Sequence, residues 1–254
     1  IPSAIGDLPF LDSLDFFGTN NLYGSIPYSI TKLHNLKRLR IWNTTWSGPI
    51  PEFLSQLRNL EYLDLSKNQL SGSIPASLAD LYKLTELDLS WNRLTGNIPD
   101  SITKLQNLKR LRIWNTTLSG PIPEFLSQLR NLEYLDLSNN QLSGWIPASL
   151  ADLYKLTKLD LSWNRLTGNI PDSFGRFKGD SIWLSHNKLS GKIPESFGEL
   201  NCYGIYLSNN KLVGDASMLF KENGTTHAID LSWNLFNFDL SRVMFPKTLG
   251  YDWI

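Results

Sequence analysis

The sequence predicts an α/β repeat solenoid: a right-handed superhelix whose coils each add one short strand to a parallel concave β-sheet and a 3₁₀ or short helical turn to the convex side. Three observations predict it. The second apolar residue of each unit (Leu14, Leu39, Leu63, Leu87, Leu111, Leu135, Leu159, Ile182, Ile205, Ile229) recurs at intervals of 25, 24, 24, 24, 24, 24, 23, 23 and 24. LEYLDLSKNQLSGSIPASL (60–78), LTELDLSWNRLTGNIPDSI (84–102) and LKRLRIWNTTWSGPIPEFL (36–54) share LxxLxLxxNxLxGxIPxxL, with Thr44 departing from it. Residues 31–101 return as 103–173 with 66 of 71 positions identical, the exceptions being His34/Gln106, Trp46/Leu118, Lys67/Asn139, Ser73/Trp145 and Glu86/Lys158. A stack whose coils touch only their neighbours accepts such a copy without losing its core. The ten units cover nearly all of residues 1–254 and predict a single domain with no linker.

Each element of a coil follows from its residues. In LxLxx the alternating Leu/Ile point inward from a strand and the residues between them face solvent. The Asn after the strand (Asn68, Asn92, Asn140, Asn164, Asn187, Asn210, Asn234) is expected to turn inward, its amide serving backbone groups of adjacent turns. Glycines such as Gly72 and Gly144 permit the bend that follows, and Pro51, Pro75 and their equivalents fix φ where the outer segment begins. Pieces such as PEFLSQLRN then return along the convex side.

Composition excludes several classes. Lys plus Arg and Asp plus Glu number 24 each, so no global field draws the chain to nucleic acid or a membrane. No apolar run reaches the roughly 18 residues of a spanning helix. The start at Ile1-Pro2 carries no leader, which reads as a signal peptide already removed. Cys202 is the single cysteine and forms no disulfide framework. N-x-[ST] triplets at Asn43, Asn115 and Asn223 are candidate glycosylation sites that fit secretion. No catalytic or metal-ligating set is expected. His34, His186 and His227 lie in unrelated units, and no nucleophile elbow or phosphate loop occurs. No cofactor is implied.

The LxGxIP signature resembles the plant-specific class of leucine-rich repeats. IPSAIGDLPFLDSLDF, FLSQLRNLEYLDLS, GNIPDSFGRF, IWLSHNKLSGKIPESFG, KLVGDASMLF (211–220) and FNFDLSRVMFPKTL together resemble polygalacturonase-inhibiting proteins. That resemblance implies a secreted plant cell-wall (apoplast) protein that grips a fungal or insect polygalacturonase on its concave face and also binds pectin. Two departures stand out. The family's cysteine-rich caps are absent, and three units are near-verbatim copies, which together read as an engineered or trimmed chain.

On the predicted concave face one column holds Arg40, Asp64, Asp88, Arg112, Asp136, Asp160, Trp183, Tyr206 and Asp230. Its neighbours supply Trp42 and Trp114, then Trp91, Trp163 and Trp233. Aromatics flanked by charge have the composition of binding hot spots, and these residues are the candidate partner-binding set. The charges also read as ordinary cross-strand ion pairs, and the copied tryptophans are not independent observations. Lys37, Arg38, Lys109 and Arg110 are the candidates for pectin. Three other readings stay open: ice binding, a receptor-kinase ectodomain fragment, and a scaffold without a native partner.

Overall fold

The computed structural model describes residues 1–18, 26–245 and 247–250. The chain divides into two compact units, Ile1–Ser119 and Gly120–Ile254. In the first, the strands Ser13–Phe17, Arg38–Trp42, Tyr62–Asp64, Glu86–Asp88 and Arg110–Arg112 pair in parallel in chain order. Their register aligns Leu14, Leu39, Leu63, Leu87 and Leu111. In the second, Tyr134–Asp136, Lys158–Asp160, Ser181–Trp183, Gly204–Tyr206 and Ala228–Asp230 do the same and align Leu135, Leu159, Ile182, Ile205 and Ile229. All ten aligned residues are buried. Burying each such side chain contributes about 1.5–3 kcal/mol, so the in-register ladder supplies the core.

The buried asparagines satisfy the backbone of the turn that leaves each strand. Asn92 Nδ2 donates to the carbonyls of Leu65 (2.9 Å), Leu89 (3.0 Å) and Ser90 (3.2 Å), while its Oδ1 accepts from the Leu70 N–H (3.0 Å). Asn164 repeats this set with Leu137, Leu161, Ser162 and Leu142. Thr44 takes the place of this Asn with a shorter hydrogen-bonding group. Its hydroxyl donates to Asn68 Oδ1 (2.5 Å) and accepts from the Trp46 N–H (3.2 Å).

Two features refine the expected coil. The stretch read as a bend carries a second set of short parallel strands. These are Ser47–Pro49, Gln69–Gly72 and Arg93–Leu94 in the first unit, and Gln141–Gly144, Arg165–Gly168, Lys188–Lys192, Lys211–Gly214 and Leu235–Phe236 in the second. Gly72 closes its strand at φ +75°, a conformation that a Cβ would strain. The outer segments are all 3₁₀ turns: Pro51 stands at φ −68° ahead of Glu52–Gln56, and the Leu54 N–H donates to its carbonyl at 3.1 Å.

Candidate functional site

The strand face of the first unit is a charge ladder. Arg40 Nη1 meets Asp15 Oδ2 at 3.1 Å and its Nε lies 3.5 Å from Asp64 Oδ2, with the guanidinium 4.8 Å over the Trp42 ring. Trp42 in turn stacks on Phe17 (4.2 Å between centroids). Arg112 pairs with Asp88 (3.3 Å), Arg110 with Glu86 (2.9 Å), and Arg38 lies 4.0 Å over Tyr62. Arg40–Asp64 and Arg112–Asp88 are thus cross-strand ion pairs of the kind the sequence implied.

Asp64 and Asp136 depart from the reading that put them on the exposed wall: both are buried, at 5% and 7% exposure. Both carboxylates are drawn back by a motif that the column view overlooked, Asp-x-Ser, and Asp64 is also covered by Arg40. Asp64 Oδ1 accepts from the Ser66 N–H (2.9 Å) and hydroxyl (2.6 Å), folding the carboxylate onto its own turn. Asp136 uses Ser138, Asp160 uses Ser162 and Asp230 uses Ser232 in the same way, while Asp88 accepts the Ser90 N–H. Asp64 and Asp88 sit directly opposite, as do Asp136 and Asp160. Burial pushes the Asp88 and Asp160 carboxyls above the usual carboxylate range, against the lowering effect of their serine hydrogen bonds.

The tryptophans divide into two kinds. Trp42, Trp114 and Trp183 are partly buried against neighbouring rings and cations. Trp91, Trp163 and Trp233 are 46%, 56% and 80% exposed. These three follow the strand at φ +55° to +56°, a left-handed conformation that Asn43, Asn115, Asn139 and Asn209 share in other coils. Asparagine adopts it readily, whereas a bulky side chain there is uncommon. An exposed indole on a left-handed backbone gains little from folding, which marks the position as surface chemistry.

In the second unit, the Trp163 ring stacks on His186 at 3.6 Å, and Asn209 Nδ2 lies 3.4 Å from His186 Nε2. Burial lowers the His186 pKa, opposed by the nearby Asp230. On the strands themselves, Trp183 and Tyr206 stack at 5.5 Å with planes 2° apart, and Lys158 Nζ stands 5.0 Å over Trp183. The pectin candidates Lys37, Arg38, Lys109 and Arg110 are exposed. Of the glycosylation candidates, Asn43 and Asn223 are exposed and Asn115 is partly buried. Cys202 is buried, and desolvation pushes its thiol up to about 11, which leaves it unreactive as a nucleophile. Among the described residues no group of three His, Cys, Asp or Glu is placed to hold a metal, and no helix is long and apolar enough to cross a membrane.

A family model described as a leucine-rich repeat region matches residues 1–161, and single leucine-rich repeats match 155–177 and 180–200. The chain belongs to the leucine-rich repeat family. Among solved structures, this leucine-rich repeat chain is similar to a plant ice-binding protein, with 43% identity and a TM-score of 0.70 over 72% of this chain and 60% of that one. It is also similar to the plant peptide hormone receptor RGFR1 in complex with RGF2, with 34% identity and a TM-score of 0.80 over 93% of this chain and 42% of the receptor. Among curated proteins, 36 residues are 67% identical to polygalacturonase inhibitor 1 of Arabidopsis thaliana. That match spans 14% of this chain and 11% of the inhibitor.

The repeat pattern alone did not single out a recurring hydroxyl at the second strand set. Ser47, Ser71 and Thr95 in the first unit, and Ser143, Thr167 and Ser190 in the second, each precede the left-handed glycine of their coil, staggered so that Ser47 stands opposite Gln69 and Ser71 opposite Arg93. The sequence signal was available in the recurring [ST]-G of LSG and LTG.

Proposed function

We propose that this leucine-rich repeat chain is a non-catalytic recognition module that binds a protein partner through its strand faces, and that the partner is a fungal or insect polygalacturonase. The observation that carries the reading is the separation of roles along each coil. Leucines fill the interior, while arginines, stacked rings and left-handed tryptophans, none of which the core needs, collect where the strands end. Aromatic and arginine side chains in that arrangement have the makeup of interface hot spots. The short match to polygalacturonase inhibitors supports the choice of enzyme, and their setting supports secretion into the plant cell wall. Pectin is assigned to Lys37, Arg38, Lys109 and Arg110, and glycans to Asn43, Asn115 and Asn223. Inhibition would follow from covering the enzyme's cleft, with charge complementarity setting the encounter rate.

The expected result is that the chain forms a complex with, and slows, at least one enzyme in a panel of fungal and insect polygalacturonases. In that enzyme's complex, Trp163→Ala is expected to weaken binding by about 10-fold or more, the size of a hot-spot loss. A panel in which no enzyme is bound or slowed contradicts the reading.

The likeness to a plant ice-binding protein favours a second reading. Its physical basis is the short hydroxyl that recurs before the left-handed glycine in successive coils, Ser47, Ser71 and Thr95 in the first unit and Ser143, Thr167 and Ser190 in the second. Under this reading the chain produces thermal hysteresis or suppresses ice recrystallisation, and Thr95→Lys with Thr167→Lys abolishes it. Ice growth unchanged from a buffer control contradicts it.

A further inference from the structure

The two units answer the same Asp-x-Ser geometry differently. In the first, Asp64 commits Oδ1 to Ser66, and its Oδ2 faces Arg40, whose guanidinium also lies 4.8 Å over an indole. Asp88 likewise presents Oδ2 to Arg112 from the next strand. Each of these carboxylates is thus completed by a guanidinium belonging to an adjacent coil. In the second unit, Asp230 Oδ1 accepts from the Ser232 N–H (3.1 Å) and hydroxyl (2.7 Å), but the residue in register on the neighbouring strand is Tyr206. Asp230 makes no ion pair among the described residues.

The stack that ends at this carboxylate is ordered. Lys158 Nζ covers Trp183, and Trp183 lies parallel to Tyr206. Tyr206 is in register with Asp230 on the adjacent strand, and burial, with Tyr203 and then the Asp230 charge adding to it, holds the Tyr206 hydroxyl protonated. At one end of the stack a lysine thus faces an indole, and at the other a phenol ring is in register with a half-used carboxylate that has no ion pair among the described residues. Asp160, another Asp-x-Ser carboxylate of this column, already has the positive charge of Lys158 nearby. His186, near enough to feel the Asp230 charge, is held toward its neutral form by burial, and Trp233, three residues after Asp230, is 80% exposed.

We propose that the Tyr206–Asp230 corner of the second unit takes an arginine side chain from a protein partner. The guanidinium lies against Tyr206 and Trp233, and its N–H groups donate to Asp230 Oδ2, reproducing in trans what Arg40, Trp42 and Asp64 make in cis. Planar guanidinium suits this better than ammonium because it stacks on a ring and donates sideways at once. The assignment rests on the strand-face reading above and adds the chemistry of the partner: a basic, arginine-presenting segment.

The test titrates the intact chain into fluorescein-labelled Gly-Arg-Gly-Arg-Gly-Arg and into the same peptide with citrulline for arginine, followed by anisotropy at low salt. Citrulline keeps the planar shape and loses the charge. The arginine peptide is expected to bind at least about 10-fold more tightly than the citrulline peptide. Asp230→Asn, which keeps the Oδ1 acceptor for Ser232, and Tyr206→Leu are each expected to weaken it by about 5-fold or more, as loss of a partly desolvated charge pair or cation–π contact does. Asp100→Asn makes the same charge change on an exposed outer turn and is expected to leave binding unchanged. Equal affinity for the two peptides, no binding of either, or equal losses in Asp230→Asn and Asp100→Asn would overturn the assignment. No polygalacturonase enters this assay. Peptide binding with a failed enzyme screen would retire the enzyme and keep the site, and enzyme inhibition with no arginine preference would do the reverse.

Discussion

Asn92→Leu is expected to destabilise the protein by about 3–5 kcal/mol, at the extreme end of single substitutions. The amide of Asn92 is buried and makes four hydrogen bonds to the backbone, three as donor and one as acceptor. Leucine keeps the branched side-chain skeleton but is bulkier and carries no polar atom, so the carbonyls of Leu65, Leu89 and Ser90 and the Leu70 N–H each lose a buried partner. A single unsatisfied buried group costs about 1–3 kcal/mol, and partial relaxation keeps the total below the sum. Asn97→Leu, at an exposed position five residues on, is expected to shift stability by less than about 0.5 kcal/mol. Urea titrations of the two variants against the parent, followed by circular dichroism, make the comparison. A loss in Asn92→Leu no larger than in Asn97→Leu would show that the inward amides are dispensable.

Phe174→Ala is the second large effect, expected at about 3–5 kcal/mol. Phe174 is fully buried in the 3₁₀ turn Asp172–Arg176, where most equivalent turns place Leu or Ile. Removing its ring leaves a cavity that the turn closes poorly, because the adjacent turn already packs tightly there. A Cβ built on Gly175 would fall 2.3 Å from the Ser196 Cβ. Phe174→Leu keeps most of the volume and is expected to cost less than about 1.5 kcal/mol. Near-equal losses in the two variants, measured by the same urea titration, would contradict a packing origin.

The coil was readable because its rules are local and repeated. Leu39, Leu63 and Leu87 are spaced so that only one face can be apolar, and Asn at a fixed place after the strand has one inexpensive role, pairing with backbone. Pro51 and its equivalents announced the outer turn, and the structure gives that turn as 3₁₀ throughout. The second strand set was hidden because QLSG and RLTG are too short for periodicity to separate a strand from a bend. Their pairing is created by the neighbouring coil. The acids were misplaced for a related reason. Alternation puts Asp64 and Asp136 outward, but a carboxylate two residues before Ser finds a nearer donor in its own turn than in water. Exposure of Trp91, Trp163 and Trp233 was legible, whereas their left-handed backbone was not, since only the shared column with Asn43, Asn115 and Asn209 betrays it.

The central claim is that each coil buries its leucines and presents its post-strand aromatics as the recognition surface. Hydroxyl-radical footprinting, with oxidation of each tryptophan resolved by tandem mass spectrometry, tests it most directly. Trp233, Trp163 and Trp91 are expected to oxidise several-fold faster than Trp46, which is 3% exposed and stands at an inward leucine position of the repeat. Oxidation of Trp46 at the rate of Trp163 would contradict the claim, because the inward and outward columns of the coil would then be indistinguishable.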